Sequence, residues 1–400
     1  MAFVGLTVGA GFATGKEVIQ YFMSFGLVGL WGVAIAGLVV TISGAVFLQI
    51  GSYFLADEHN MVFKKTSHPI VSRFLDISVT LTLFCIGFVM LAGAGSNLEQ
   101  QFDLPAWIGA LIMTVIVILT GMLDVDKVSR VIGGLTPLII IAVIFAFVYT
   151  MMNMPDTSTA EALAQAEESP VSPWWLSALN YDGLALLLGV SMTLVIGGNY
   201  ASPRQAGMGG IIGGAIYTIM LFISAITLYL NMEDVQGTSV PMLEIINQIH
   251  PTLGIIMAFI IFVMIFNTAI GMFYALARRV TASTKFSFRP ALIGATLVGY
   301  AVSFVGFESL MAKVYPVIGY VGLLMIAALV AWWIKSRARI ARESKRRDRI
   351  HELTTHREDP EEDFSAKEER ELDKHLSESH IDEEQLAEVI DGEVKDKLDD

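Results

Sequence analysis

Val8-Gly-Ala-Gly-Phe-Ala-Thr-Gly-Lys-Glu17, VGAGFATGKE, lies in the middle of an apolar run that begins at Met1 and ends near Phe25. A bilayer span needs about 20 apolar residues, and a charge at its midpoint costs roughly 2.5 to 3.5 kcal/mol on the insertion scale. A segment that reads as membrane-spanning therefore holds three glycines, a threonine and an adjacent Lys-Glu pair where they are least favourable. Small-xxx-small packing accounts for Gly9, Gly11 and Gly15, but explains neither Lys16 nor Glu17. Soluble phosphate motifs fit poorly. Gly9-Ala-Gly11 is similar to a dinucleotide fingerprint, yet Thr14 stands at its third glycine; Gly15-Lys16 is similar to a phosphate loop, yet Ala10 replaces the leading glycine and Glu17 the Ser/Thr that would hold magnesium. What remains is a break in a spanning helix. Unwinding at mid-membrane bares N–H and C=O groups at several kcal/mol each, so a break persists where ligands, ions or water satisfy them.

The surroundings of this stretch set the class. Of the 400 residues, 54% are hydrophobic and the mean hydropathy is +0.61, and apolar stretches of span length recur through residue 335. The composition is that of a polytopic all-α membrane protein. The net charge of -13 belongs to the tail: residues 351–400 hold 20 acidic against 6 basic side chains, and the other 350 come to about +1. No nucleic-acid partner fits that distribution. Cys85 is the one cysteine, which excludes an intrachain disulfide and a multi-cysteine metal site. No cleavable signal is evident, because the first run has no basic n-region.

Apolar runs between polar breaks predict ten spans, near residues 1–24, 28–55, 72–98, 105–123, 131–152, 175–199, 208–230, 251–277, 290–306 and 309–334. The expected division is a transmembrane part at 1–335 and a charged tail at 336–400, basic then acidic, largely disordered with short helices at most. Alternate connections carry Lys64, Lys65, Arg73, Lys127, Arg130, Arg204, Arg278, Arg279, Lys285 and Arg289, whereas those between them carry no basic residue. Basic residues favour the cytoplasmic side, so both termini are expected there, in a multi-pass protein of the plasma membrane. The run at 335–349, with eight basic residues against two acidic, would meet anionic headgroups. Trp31, Trp107, Trp174, Trp175, Trp332 and Trp333 fall near span ends, as an interfacial belt requires.

Five charges remain inside the spans: Lys16, Glu17, Asp182, Glu308 and Lys313. Intramembrane charges mark sites by default. Asp182 lies in a second polar interruption, Ala178-Leu-Asn-Tyr-Asp-Gly183, in the sixth span. Breaks in the first and sixth spans, five apart, predict a 5+5 inverted repeat with a substrate site between the broken helices. The glycines of GMGGIIGGA, residues 207–215, read as packing contacts instead.

The GAGFATGKE start, the ten spans and the two interruptions resemble the YkvI-type amino acid permeases, within the LeuT-fold secondary transporters. The resemblance covers residues 1–335. It implies that the first and sixth helices hold the substrate while the third and eighth line the pocket. The chain begins inside the first half-helix without the short basic lead usual in such proteins, and a truncated or misassigned start is expected.

For a small zwitterion, the carboxylate is expected at free N–H groups near Gly9, Ala10, Gly11, Phe12 and Ala13. The ammonium is expected at carbonyls and the side chains of Asn180, Tyr181 and Asp182. Asp182 has an alternative as a helix cap just outside the membrane. The resemblance further implies a Na+ site between carbonyls of Gly5 and Val8 and the side chains of Asn267 and Thr268. Against it, a lone membrane Thr often bonds its own i−4 carbonyl. Phe12 stands where some relatives have a side-chain oxygen for a second ion, so the resemblance implies at most one Na+; proton coupling through Glu17 stays open. No other cofactor is implied.

Lys16 and Glu17 fall in the outer half of the first span, and Glu308 and Lys313 in that of the tenth. Lys16 with Glu308, or Glu17 with Lys313, is expected as an outer gate; snorkelling to the headgroups is the alternative. The function expected is secondary transport of amino acids or related zwitterions coupled to Na+ or H+. A ligand sensor on the same fold is the rival, and a membrane enzyme the weakest reading, since no nucleophile-base pair appears within the spans.

Overall fold

The computed structural model describes residues 2–123, 136–283, 286–358 and 364–399, so the expected loop residues Lys127, Arg130 and Lys285 lie outside them. Among the described residues the chain is helical with no strand. The first span comes in three pieces: α1 (Ala2–Thr7), α2 (Ala10–Thr14) and α3 (Lys16–Tyr21). Gly9 is extended at φ -85°, ψ -179° and opens α2; Gly15 at φ 80° is left-handed and closes it, its N–H bonding the Phe12 carbonyl. Only glycine adopts that second conformation without strain. A 3₁₀ segment, Met23–Val28, then turns the chain into α4 (Gly29–Phe54).

The remaining chain alternates long and short helices. α5 (His59–Thr66) leads to α6 (Pro69–Phe102), α7 (Ala106–Gly121) and α8 (Thr136–Met152). After the short α9 (Ala160–Ala166) come α10 (Trp174–Gly198) and α11 (Pro203–Leu230). Short α12 (Met232–Val235) and α13 (Pro241–Ile249) precede α14 (Pro251–Ser283), α15 (Phe288–Ser303) and α16 (Phe307–Glu358). Pro69, Pro203 and Pro241 open their helices, where the missing N–H has no partner to lose. Six helices among the described residues are long and apolar enough to cross a membrane, and Ala106–Gly121 and Pro137–Met152 are shorter apolar ones. With the broken first span and α15, they accommodate the ten expected spans. Outward-facing Leu38, Leu81, Phe259 and Leu324 are exposed, as lipid-facing positions are.

Packing follows the repeat. α4 packs on α11 and α6 on α14, the second with the seventh span and the third with the eighth. Glycines allow the first of these contacts: a Cβ at Gly210 or Gly214 would come within 2.5 Å of the Cα of Ala45 or Thr41. The GMGGIIGGA stretch is thus a packing surface.

The sixth span differs from expectation. α10 is continuous, not broken at Ala178–Gly183. Gly183 serves close packing: its Cβ would fall 2.0 Å from the Gly319 carbonyl oxygen of α16, and one at Gly322 would fall 1.9 Å from that of Gly183. Asn180 is held in the same crossing, donating from Nδ2 to the Pro316 carbonyl at 2.9 Å. An intact helical ladder leaves no backbone group bare, so the interruption needs no unwinding.

The tail also departs from largely disordered. α16 runs unbroken through residue 335, and α17 (Ala366–Ser377) and α18 (Glu383–Asp399) fold against it. Leu386, Ile390 and Val394, one helical turn apart, make an apolar stripe that packs with Leu372, Ile350 and Leu353. Net charge alone hides that stripe. Arg347 of the basic run is buried rather than turned to headgroups. Its guanidinium donates to the carbonyls of Ser52, Tyr53 and Ala201 and pairs with Glu343 at 3.0 Å.

Candidate functional site: a cavity at the first-span break

The break at Gly9 borders a cavity of about 50 Å³, room for a few waters. Thr7, Gly9, Ala10 and Gly11 line it from the first span, Tyr181 and Leu184 from α10, Ile86 and Met90 from α6, Thr268 from α14 and Tyr315 from α16. Glu17 is the one charged side chain in its lining. A Cβ on Gly11 would lie 1.5 Å from Glu17 Oε1, so the carboxylate occupies the space that glycine leaves. Tyr315 and Tyr181 bond the carboxylate through their hydroxyls, and Tyr217 Oη donates to Tyr181 Oη at 3.0 Å.

The expected site residues divide. Gly9, Ala10, Gly11 and Tyr181 meet at the cavity. Phe12 and Ala13 are buried away from it; Phe12 packs on the Tyr217 ring at 6.1 Å, and the Ala13 N–H is used by the Gly9 carbonyl at 3.1 Å. Asn180 faces α16 through the Pro316 contact. Asp182 is fully buried inside α10, outside the lining, which also removes its alternative as a helix cap. Successive helical residues turn about 100°, so neighbours of Tyr181 cannot all share its face.

The expected Na+ ligands do not converge on the cavity. Thr268 lines it, but its hydroxyl donates to the Met264 carbonyl at 3.1 Å, the i−4 bond. Gly5 is exposed, and the Val8 N–H bonds the Val4 carbonyl. Neither they nor Asn267 line the cavity.

On the face away from the tail, Lys16 is buried and its ammonium lies 3.3 Å from Glu308, 3.6 Å from Glu167 and 3.1 Å from the Thr238 carbonyl oxygen. Ser239 donates to the same Glu308 carboxylate at 3.1 Å. Four segments of chain thus meet on one cation. Glu17 with Lys313 does not form: Glu17 turns to the cavity and Lys313 is exposed. The same 100° turn separates Glu17 from Lys16, and five residues separate Glu308 from Lys313, so two parallel pairs cannot both form. Glu167, Thr238, Tyr217 and Tyr315 enter this constellation without a motif to mark them.

No family model matches the chain. Over 331 residues it is 28% identical to the uncharacterized membrane protein YkvI of Bacillus subtilis (strain 168), covering 82% of this chain and 93% of that one. The uncharacterized protein YyaD of the same strain is 21% identical over 335 residues, covering 84% and 96%. Among solved structures, MhsT in complex with L-phenylalanine superposes with a TM-score of 0.59 at 15% identity, covering 97% of this chain and 96% of that one. The chain is similar in sequence to YkvI and has the LeuT fold. Inward-facing Mhp1 gives a TM-score of 0.53 at 14% identity, covering 84% and 74%. A mutant of the Eremococcus coleocola manganese transporter gives 0.52 at 12%, covering 99% and 94%. The chain is therefore a multi-span membrane protein whose cavity lies at the break of its first helix.

Proposed function

We propose that the chain is a secondary active transporter of small solutes that carry an ammonium group, amino acids among them, working by alternating access in the plasma membrane. The observation that carries this is Glu17, the one charged side chain on a small cavity at the helix break. A carboxylate in a largely apolar site is stabilised by a cation that brings its own hydrogen-bond donors. A substrate carboxylate, where there is one, would be served by backbone N–H groups beside Gly9 and Ala10. The cavity is too small for most amino acids as it stands, so binding requires movement of the surrounding helices. Lys16 with Glu308 and Glu167 is the contact expected to break when the site opens away from the tail. The basic residues of alternate connections support cytoplasmic termini. Fold neighbours that include a manganese transporter and a protein bound to L-phenylalanine support transport over sensing and over catalysis.

The test is uptake of a radiolabelled panel of amino acids and simple amines into proteoliposomes, under Na+ and pH gradients separately. Glu17→Gln should weaken binding of whichever amine is transported by about tenfold to a hundredfold, the worth of one hydrogen bond to a charged group, roughly 1.5–3 kcal/mol. Unchanged affinity in that variant, or accumulation confined to anions, would overturn the reading.

A further inference from the structure

Asp182 has no place in the cavity, yet among the described residues it is a buried charge with no hydrogen-bond or ion-pair partner. It sits nine residues into the 25-residue helix α10, fully buried, and neither carboxylate oxygen has a hydrogen-bond partner among the described residues. No described Lys, Arg or His forms an ion pair with it. α4, packed along α10, has no Asp, Glu, Lys, Arg or His in its 26 residues, its titratable Tyr53 lying at the far end. On α16, Glu308 is held by Lys16, Lys313 is exposed, and Tyr315 bonds Glu17. From the third side Tyr217 of α11 bonds the hydroxyl of Tyr181 on α10 itself, and both feel the charges of Asp182 and Glu17. The bonded pair of hydroxyls thus feels two carboxylates, Glu17 on the cavity and Asp182 outside its lining.

An ionised carboxylate left bare in an apolar interior costs several kcal/mol, and a group so placed is neutralised. Sodium as the neutralising ion needs a shell of oxygen ligands. The two hydroxyls near Asp182 are already engaged with each other and with Glu17. A proton needs no shell.

We propose that Asp182 is a proton-binding site separate from the substrate cavity, and that the helices around α10 close only when it is loaded. The inference rests on the transport reading for its role but not for its chemistry. One proton from water joins one carboxylate oxygen of Asp182 to give the neutral acid when the helices are apart. The same O–H bond breaks, returning the proton to water, when they part toward the other side. No bond to the solute forms and no electron moves. Sealing Asp182 completely is feasible for the acid and not for the anion, so loading becomes a condition of closure and ties proton movement to the cycle.

Infrared difference spectroscopy of the purified full-length chain in lipid nanodiscs tests the site without a substrate. At neutral pH and without Na+, the wild type should show the C=O stretch of a buried neutral carboxylic acid. That band should vanish in Asp182→Asn and persist in Glu17→Gln. Asp182→Leu, which keeps the position apolar, gives the same reading if the Asn variant does not fold. A band unaffected by both Asp182 variants, or a carboxylate signal that responds to Na+ in place of the acid band, overturns the proposal. In proteoliposomes loaded with the amino acid and amine panel, wild-type uptake should follow an imposed pH gradient, and Asp182→Asn should lose that response. Uptake by Asp182→Asn that still follows the gradient as in the wild type also overturns it. If the wild type moves no solute, the transport reading falls while the infrared band still decides whether Asp182 holds a proton.

Discussion

A methyl group at Gly11 would separate the fold from the site. A Cβ there falls 1.5 Å from Glu17 Oε1 and 2.2 Å from its Cδ, well inside van der Waals contact, so the carboxylate must leave. It is the end of a flexible side chain and can swing away, whereas the backbone of α2 is helical at this position and accepts alanine. Alanine is favoured over glycine in a helix by about 0.5–1 kcal/mol, so Gly11→Ala should leave the thermal midpoint unchanged or slightly raised. The displaced carboxylate gives up the hydroxyls of Tyr315 and Tyr181 and can no longer meet a bound ammonium. Loss of one charge-assisted hydrogen bond, roughly 1.5–3 kcal/mol, should lower affinity by about tenfold to a hundredfold. Gly15→Ala, four residues on, should do the reverse. Its φ of 80° costs a residue with a Cβ about 1–2 kcal/mol, and the new Cβ would meet the Met242 backbone nitrogen at 3.3 Å. Thermal unfolding in detergent and binding of the labelled panel, measured on both variants, check the pair. Undiminished affinity in Gly11→Ala, or a greater loss of stability there than in Gly15→Ala, would refute the placement of Glu17.

Lys16→Gln removes a buried ammonium from Glu308, Glu167 and the Thr238 carbonyl; since Glu308 is partly exposed and water can replace the cation there, the loss should be about 1–2 kcal/mol. Faster amide exchange in α3 and the first turn of α16 would show it, and unchanged exchange would count against a closing role. Arg347→Ala strands the carbonyls of Ser52, Tyr53 and Ala201, at about 3–5 kcal/mol, and should free α17 and α18 for limited proteolysis. Equal cleavage rates in variant and wild type would mean the tail is held elsewhere. His59, between the second and third spans, is pushed from the usual 6.5 down to about 4 by burial and then by Arg279, with Asp76 opposing. Between those values the unfolded chain binds a proton that the folded chain does not. Stability should therefore fall as pH drops from 7 toward 4, by up to about 3 kcal/mol. Thermal midpoints over that range should be flatter for His59→Gln, and equal slopes would refute the assignment.

The one-dimensional pattern already determined the membrane class, the ten spans and the break at Gly9–Gly15, because each follows from properties that neighbours along the chain impose. Hydropathy over about 20 residues decides what crosses a bilayer. A glycine cluster beside two charges has no other stable home there. Lys16 lies opposite Glu308, as one of the two expected pairings has it, because few intramembrane charges were available to pair.

What the chain order could not decide was which way side chains point once helices cross. Gly183 reads in sequence as a point of unwinding, and in three dimensions as the place where α10 and α16 touch. Asn180, Tyr181 and Asp182 are adjacent in sequence, yet they face a helix crossing, a cavity and a sealed interior. Glu17 turns into the cavity while Lys16, one residue away, reaches three acceptors away from it. The acidic tail hides a stripe at Leu386, Ile390 and Val394 whose worth depends on α16 being beside it. A helix rotates its side chains by about 100° per residue, so a residue's neighbours are set by the helices packed around it rather than by the residues beside it in the chain.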